Sequence, residues 1–341
     1  MKKLLTTTAL LIGLAGTAQA EGKLSIYHWF EYIPQELLDK FAAEYDVEVT
    51  MDTYDSNEAL LAALKAGKLG SYDVAVPGDY MVEILGQEGM LDSFAPEEMP
   101  NLGNIQDQWM DVSFDPGRHS SIPYQWGSTS FSVNRDVYDG PIDTTDIIFN
   151  PPEELKGKIN VLDTAGETLT FASIHLGIPQ CSSDREQLKA LNDLVLSAKE
   201  NWASFGSDIA KDVLVSGDAA AGMIWSGFSA KARAEGANIE YAFPKQGYIV
   251  WMDNVVLLKD APNRENALKF MNFLLEPENA AAVTNYAQYT AGVKGAEAYL
   301  TEEVANLPES NPPEGVPAYF VQACPEEVQV LYDAIWTNLK K

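Results

Sequence analysis

Aromatic rings and carboxylates recur together along this 341-residue chain. Tyr27-His28-Trp29-Phe30-Glu31-Tyr32, Asp79-Tyr80, Trp225-Ser226-Gly227 and Trp251-Met252-Asp253 each lie at a turn, a strand end or an apolar crossing. Any one of them is ordinarily a packing aromatic with a surface acid. Four of them, placed where an open α/β sheet binds its ligands, point to a site. Carboxylates neutralise ammonium groups, and Trp and Tyr faces cover methylenes while adding cation–π attraction of ~0.5–2 kcal/mol each. That combination suits a linear polyamine, whose ammoniums are separated by short methylene runs. A ligand with its own carboxylate would call for an Arg or a helix N-terminus, and none of the four stretches carries an Arg.

Composition agrees with a cationic ligand. The formal charge is −27, and removing Lys2 and Lys3 deepens it to about −29. Such a field repels nucleic acid and anionic membrane surfaces and concentrates cations. The first twenty residues read as an export signal: Lys2 and Lys3, an apolar run from Leu4 to Ala15, then small residues at Thr17-Ala18-Gln19-Ala20. Cleavage after Ala20 leaves a mature chain expected in the periplasm. The apolar run is shorter than the ~20 residues of a membrane span, so no membrane insertion is expected. In an oxidising compartment Cys181 and Cys324 are expected to pair. His28, His119 and His175 have no second metal ligand at a useful spacing, so no metal and no cofactor are expected.

Enzyme motifs are missing. Leu162-Asp163-Thr164-Ala165-Gly166-Glu167 spells a GTPase switch motif, but the chain has no G-x-x-x-x-G-K-[ST] phosphate loop. It also lacks a G-x-S-x-G elbow and an H-E-x-x-H helix. A secreted hydrolase remains the non-binding alternative.

The elements that position these residues begin with strand Lys23–Tyr27, a helix through Leu37, Leu38, Phe41 and Tyr45, and strand Val47–Met51. A helix from Glu58 to Gly67 and strand Tyr72–Val76 complete a βαβαβ unit, the signature of a doubly wound sheet. Ser128–Asn134 and Ile249–Leu258 read as two crossings into a second lobe. That lobe holds strand Lys158–Leu162, helix Gln187–Lys199, and apolar strand Ala219–Trp225, which follows Val213-Leu214-Val215-Ser216-Gly217-Asp218. Helices Asn266–Leu275 and Glu326–Leu339 follow.

In these stretches the chain resembles the spermidine/putrescine-binding periplasmic proteins. Tyr27-His28-Trp29-Phe30-Glu31-Tyr32-Ile33-Pro34 is similar to the family's Y-N-W-x-E-Y-x-P, and Thr53-Tyr54-Asp55-Ser56-Asn57-Glu58 to its T-Y-E-S-N-E. Tyr72–Pro77, Ile122–Gly127, Gly222–Gly227 and Trp251-Met252-Asp253 continue the likeness in order. The resemblance implies a two-lobed α/β type II binding fold, each lobe a mixed sheet flanked by helices, with ligand in the interlobe cleft. Residues 21–127 and 254–297 would form the first lobe, and 128–253 with 298–341 the second. It further implies a monomer without catalysis, serving the membrane permease of an ABC importer.

Carried over position by position, the resemblance implies a cage of Trp29, Tyr32, Tyr80, Trp225, Trp251 and Tyr289. Glu167 and Asp253 fall on the ammonium-binding acids, with Ser207 and Gln322 as polar contacts. Three positions depart from the pattern. Phe30 replaces a hydroxyl residue, Gly78 a serine, and Thr164 an acid, with Asp163 one position away. Asp79 or Asp163 would have to supply the missing contacts. Alternative cargoes for the same fold are thiamine and ferric iron, the latter through Tyr286 and Tyr289.

Overall fold

The computed structural model describes residues 22–341; the expected export signal and its cleavage point lie outside the described residues. Eleven strands form one continuous sheet. They are β1 (Gly22–Trp29), β2 (Val47–Tyr54), β3 (Val74–Ala75), β4 (Ser121–Asn134), β5 (Ile159–Val161) and β6 (Trp202–Phe205). β7 (Ala221–Trp225), β8 (Ile239–Tyr241), β9 (Tyr248–Leu257), β10 (Thr290–Ala291) and β11 (Ala318–Phe320) complete it. The order is β2-β1-β3-β9-β4-β7-β5-β6, with β10 and β8 on β4 and β11 on β9.

The βαβαβ expectation holds at the start of this order. β1 pairs in parallel with β2 and with β3, joined by the Gln35–Tyr45 and Asn57–Ala63 helices. Buried Leu37, Leu38 and Phe41 give the first helix its apolar face. Past β3 the sheet turns mixed: β9 runs antiparallel to β3 and to β4, and β4 antiparallel to β7. β5 then restores parallel pairing with β7 and β6.

The two long strands, β4 and β9, are the expected crossings, and they pair with each other. Their ladder runs from Ser121↔Val256 to Thr129↔Ile249. On either side of this ribbon the buried apolar residues form separate cores. One gathers Leu24, Phe41, Val74, Ile122, Val255 and Phe270; the other Phe131, Ile159, Phe171, Val195, Met223 and Ile335. Trp225 and Trp251 pack against both. The molecule therefore has two lobes, and the junction is where the aromatic stretches meet.

The stretch ahead of β7, which the sequence reading leaves without an element, is a helix, Ala210–Ser216, with Ala210 and Leu214 buried. Gly217 ends it at φ 81°. Its run of Val213, Leu214 and Val215 has no clear helical period, which is why periodicity alone does not reveal it.

Cys181 and Cys324 form a disulfide, with Cα atoms 5.2 Å apart. It fastens the segment after β11, including Val321, to the second lobe. The Cys181→Ser, Cys324→Ser double variant is expected to lose ~2–4 kcal/mol of stability. Thermal unfolding of the oxidised and variant proteins checks this; equal midpoints would mean that the bridge is not formed or adds nothing.

Candidate functional site

A cavity of about 50 Å³ opens at the junction of the lobes, enough for a short chain of water-sized groups. Its walls come from four places in the fold. The end of β1 and the turn after it bring Trp29, Phe30 and Tyr32; the turn after β3 brings Gly78, Asp79 and Tyr80. The opposite lobe adds Glu167, Trp225 and Phe228, while β9 contributes Trp251 and Asp253. Tyr289 and Val321 close it.

The rings are fixed by hydrogen bonds at their edges. Trp29 Nε1 donates to Val76 O at 2.6 Å, as does the hydroxyl of Tyr54, which packs against Trp29 at 4.6 Å. Trp251 Nε1 donates to Thr129 Oγ1 at 2.9 Å, and the Thr129 hydroxyl donates to Glu167 Oε1. Trp225 Nε1 donates to both Glu167 oxygens, at 3.1 and 3.2 Å. Edge-to-face pairs Trp29–Trp225 (6.1 Å), Tyr32–Tyr289 (5.3 Å) and Trp251–Tyr289 (5.0 Å) join the rings into a box. Gly127 and Gly227 make room for it: a Cβ on Gly127 would sit 2.9 Å from Trp251, and one on Gly227 2.6 Å from Tyr289.

Three carboxylates face this box. Asp253 on β9 is buried, and desolvation holds its carboxyl well above the usual range, with Asp79 and Glu167 pushing it further and a Tyr32 contact opposing. Asp79 opens the Asp79–Gln87 helix. Its Oδ1 accepts Tyr80 N–H at 2.7 Å, and Oδ2 accepts Met252 N–H at 3.2 Å. Burial nevertheless pushes Asp79 up to about 7, against those two N–H groups and with Glu167 adding to the rise. Glu167, in the first turn of the Ala165–Leu176 helix, is raised by desolvation despite the donors from Thr129 and Trp225. None of the three belongs to any ion pair among the described residues. Desolvated acids without a cation favour a positively charged guest.

Ten positions entered the sequence-derived site, and eight of them line the cavity. Ser207 lies outside, buried behind the wall, where its hydroxyl accepts Asp163 N–H at 3.0 Å. Gln322 is exposed outside it too, while its neighbour Val321 is buried and lines the cavity. Of the replacements considered for the missing contacts, Asp79 lines the cavity. Asp163 is tied at 2.7 Å to Lys340, and Thr164 is buried at the start of its helix without lining the cavity. Thr129, Asn57 and Phe228 went unnoticed in the sequence. Only Asn57, inside the Ser-Asn-Glu stretch, carried a signal; its Oδ1 accepts Gly78 N–H at 3.0 Å.

The paired tyrosines do not converge. Tyr289 is in the cavity wall, whereas Tyr286 is 38% exposed with Lys231 Nζ 4.4 Å from its ring. Among the described residues no group of three or more His, Cys, Asp or Glu is placed to share a metal ion. Nor is any described helix long and apolar enough to cross a membrane.

Residues 36–312 match the family described as bacterial extracellular solute-binding protein. The chain belongs to that family. It is 35% identical over 306 residues to the spermidine/putrescine-binding periplasmic protein of Escherichia coli, spanning 89% of this chain and 88% of that one. It is 33% identical over 360 residues to the putrescine-binding periplasmic protein SpuD of Pseudomonas aeruginosa, spanning 99% and 98%. Among solved structures, the spermidine/putrescine ABC transporter substrate-binding protein PotD of Streptococcus pneumoniae superposes with a TM-score of 0.76 at 29% identity. That superposition covers 94% of this chain and 98% of that one.

The buried acids have a consequence for this member's stability. A carboxyl raised to about 7 keeps its proton in the folded state over the range from about 4 to 7, where the unfolded state has released it. Stability of the ligand-free protein therefore falls as pH rises through that window and levels off above it. The midpoint of thermal unfolding should drop between pH 5 and pH 8, and Asp79→Asn should make the drop smaller. An unchanged slope in the variant would place the titration elsewhere.

Proposed function

We propose that this chain is the periplasmic substrate-binding component of a polyamine ABC importer, capturing spermidine or putrescine between its lobes and delivering it to a membrane permease. The observation that carries this reading is three desolvated carboxylates, without a basic partner, inside a box of tryptophan and tyrosine. An ammonium at each acid supplies the missing countercharge, and the ring faces cover the methylenes between. Anions and neutral sugars would leave the acids unpaired and desolvated, at several kcal/mol. The polyamines that those relatives are named for support the same ligand class.

Under this reading Trp29, Tyr32, Tyr80, Trp225, Trp251 and Tyr289 form the cage, and Glu167, Asp253 and Asp79 bind the ammoniums. Asp79 takes over from the acid replaced by Thr164. Three acids match the three charges of spermidine; putrescine, with two, leaves one acid to keep a proton. Ferric iron is disfavoured because Tyr286 faces away from the cavity. Residues 21–127 with 254–297, and 128–253 with 298–341, act as the two moving lobes of an exported monomer that does no covalent chemistry.

Titration calorimetry of the mature protein against spermidine, putrescine, thiamine and ferric citrate tests the ligand class. Glu167→Gln and Asp253→Asn should each cost ~2–5 kcal/mol, or about thirtyfold to several thousandfold in Kd. A loss below threefold would remove the residue from the site. Because a bound ammonium lowers the carboxyls it pairs with, binding near pH 7 should release protons, and affinity should weaken as pH falls below 7. The heat measured in buffers of different ionisation enthalpy reads the release directly; proton uptake would overturn the pairing.

A further inference from the structure

We infer that Glu58 is an interlobe latch that sets how tightly the closed protein holds any ligand, a role that rests on the binding-protein reading above. Its side chain leaves the first turn of the Asn57–Ala63 helix, which buried Leu60 anchors in the first lobe. Oε1 accepts the Tyr80 hydroxyl at 3.1 Å and the backbone N–H of Gly166 at 3.2 Å. Tyr80 belongs to the same lobe as Glu58, whereas Gly166 belongs to the other. Gly166 sits in the first turn of the Ala165–Leu176 helix, one residue before Glu167.

One carboxylate oxygen thus holds a ring of the cage and the helix end that carries a ligand acid. The free N–H and positive dipole end of that helix suit a negatively charged acceptor. Residue 166 is packed against the latch: a Cβ there would stand 3.0 Å from Tyr80 Oη and 3.3 Å from Glu58 Oε1, so an added methyl would press on both side chains.

Glu58 does not line the cavity; its neighbour Asn57 does. Its second oxygen, Oε2, is buried without a hydrogen-bond partner among the described residues. The latch therefore acts without touching the ligand, and it exists only while the lobes are closed. Opening withdraws Gly166 and returns Glu58 to water. A ligand that needs the closed form binds with an affinity scaled by the closed fraction. Losing the latch lowers that fraction by one factor, whatever the ligand.

The test measures Kd and dissociation rate for spermidine and for putrescine in the wild type, Glu58→Ala, Glu58→Gln and Gly166→Ala. A charged hydrogen bond lost across the cleft should weaken binding roughly tenfold in Glu58→Ala, through faster dissociation and by the same factor for both ligands. Gly166→Ala should reproduce that uniform loss, while Glu58→Gln, which keeps an oxygen acceptor, should stay within about threefold of wild type. No loss in Glu58→Ala overturns the latch. So does a loss that differs severalfold between the triamine and the diamine, since that marks a direct ligand contact. Wild type that binds neither polyamine would reject the ligand reading alone. The latch is then judged by lobe-to-lobe spin-label distances without ligand, where an equal closed fraction in wild type and Glu58→Ala rejects it.

Discussion

Three buried carboxyl groups without an internal counterion are the constraint on which this structure depends. Desolvation raises the proton affinity of Asp79, Glu167 and Asp253; Glu167 adds to the rise at Asp79, and both add to it at Asp253. A core of this kind is poor for stability on its own, because each desolvated charge costs several kcal/mol unless it is paired. The chain tolerates it by giving two of the acids backbone or side-chain donors: two N–H groups for Asp79, and Thr129 and Trp225 for Glu167. Those donors hold the carboxylates in place without cancelling their charge. An incoming cation then meets acids that are already oriented.

The aromatic box follows the same logic. Each tryptophan spends its one N–H on the protein: Trp29 on Val76 O, Trp251 on Thr129, Trp225 on Glu167. The ring faces are left free, and none of these three indoles keeps a donor for an anion. Trp251, Thr129, Glu167 and Trp225 form one hydrogen-bonded chain from β9 through β4 to β7. Ring orientation and acid orientation are therefore set together, so a change at Thr129 reaches both tryptophans and the acid between them.

Much of this was legible from residue types, and the rest fails for physical reasons that can be named. The two crossings show as apolar runs because burial is nearly continuous along β4 and β9, and the βαβαβ start shows in the helical period of Leu37, Leu38 and Phe41. The choice between Asp79 and Asp163 was not legible. Both precede or open helices, and only the tertiary fold turns one toward the cleft while Lys340 takes the other. Tyr286 and Tyr289 look like a pair by spacing. The helix that carries Tyr286 stops at Ala287, and Gln288 at φ 62° redirects the chain, so Tyr289 swings into the cleft and Tyr286 stays outside. The Asp163–Glu167 stretch, so suggestive of a nucleotide switch, is a helix start whose glycine serves interlobe packing.

The position of Asp253 ties the charge to the motion that a two-lobed binder requires. It sits on β9 opposite Gln125 of β4, where the ladder's register shifts between Pro123 and Gln125. Pro123 lacks an N–H to donate, so the ladder is locally weakened at that point. Asp253 also bridges to Gly78, where a Cβ would come 3.0 Å from Asn57 Nδ2. One acid thus lies on the ribbon joining the lobes, beside its irregular point. Asp79 and Glu167 come from helix starts on opposite sides of that ribbon. In the proposed closure, rotation about the ribbon would change the spacing of Asp79 and Glu167 while leaving Asp253 near the axis. Under the proposed function, a linear polycation pairing with all three acids would fix that rotation, its charge spacing setting the closed angle.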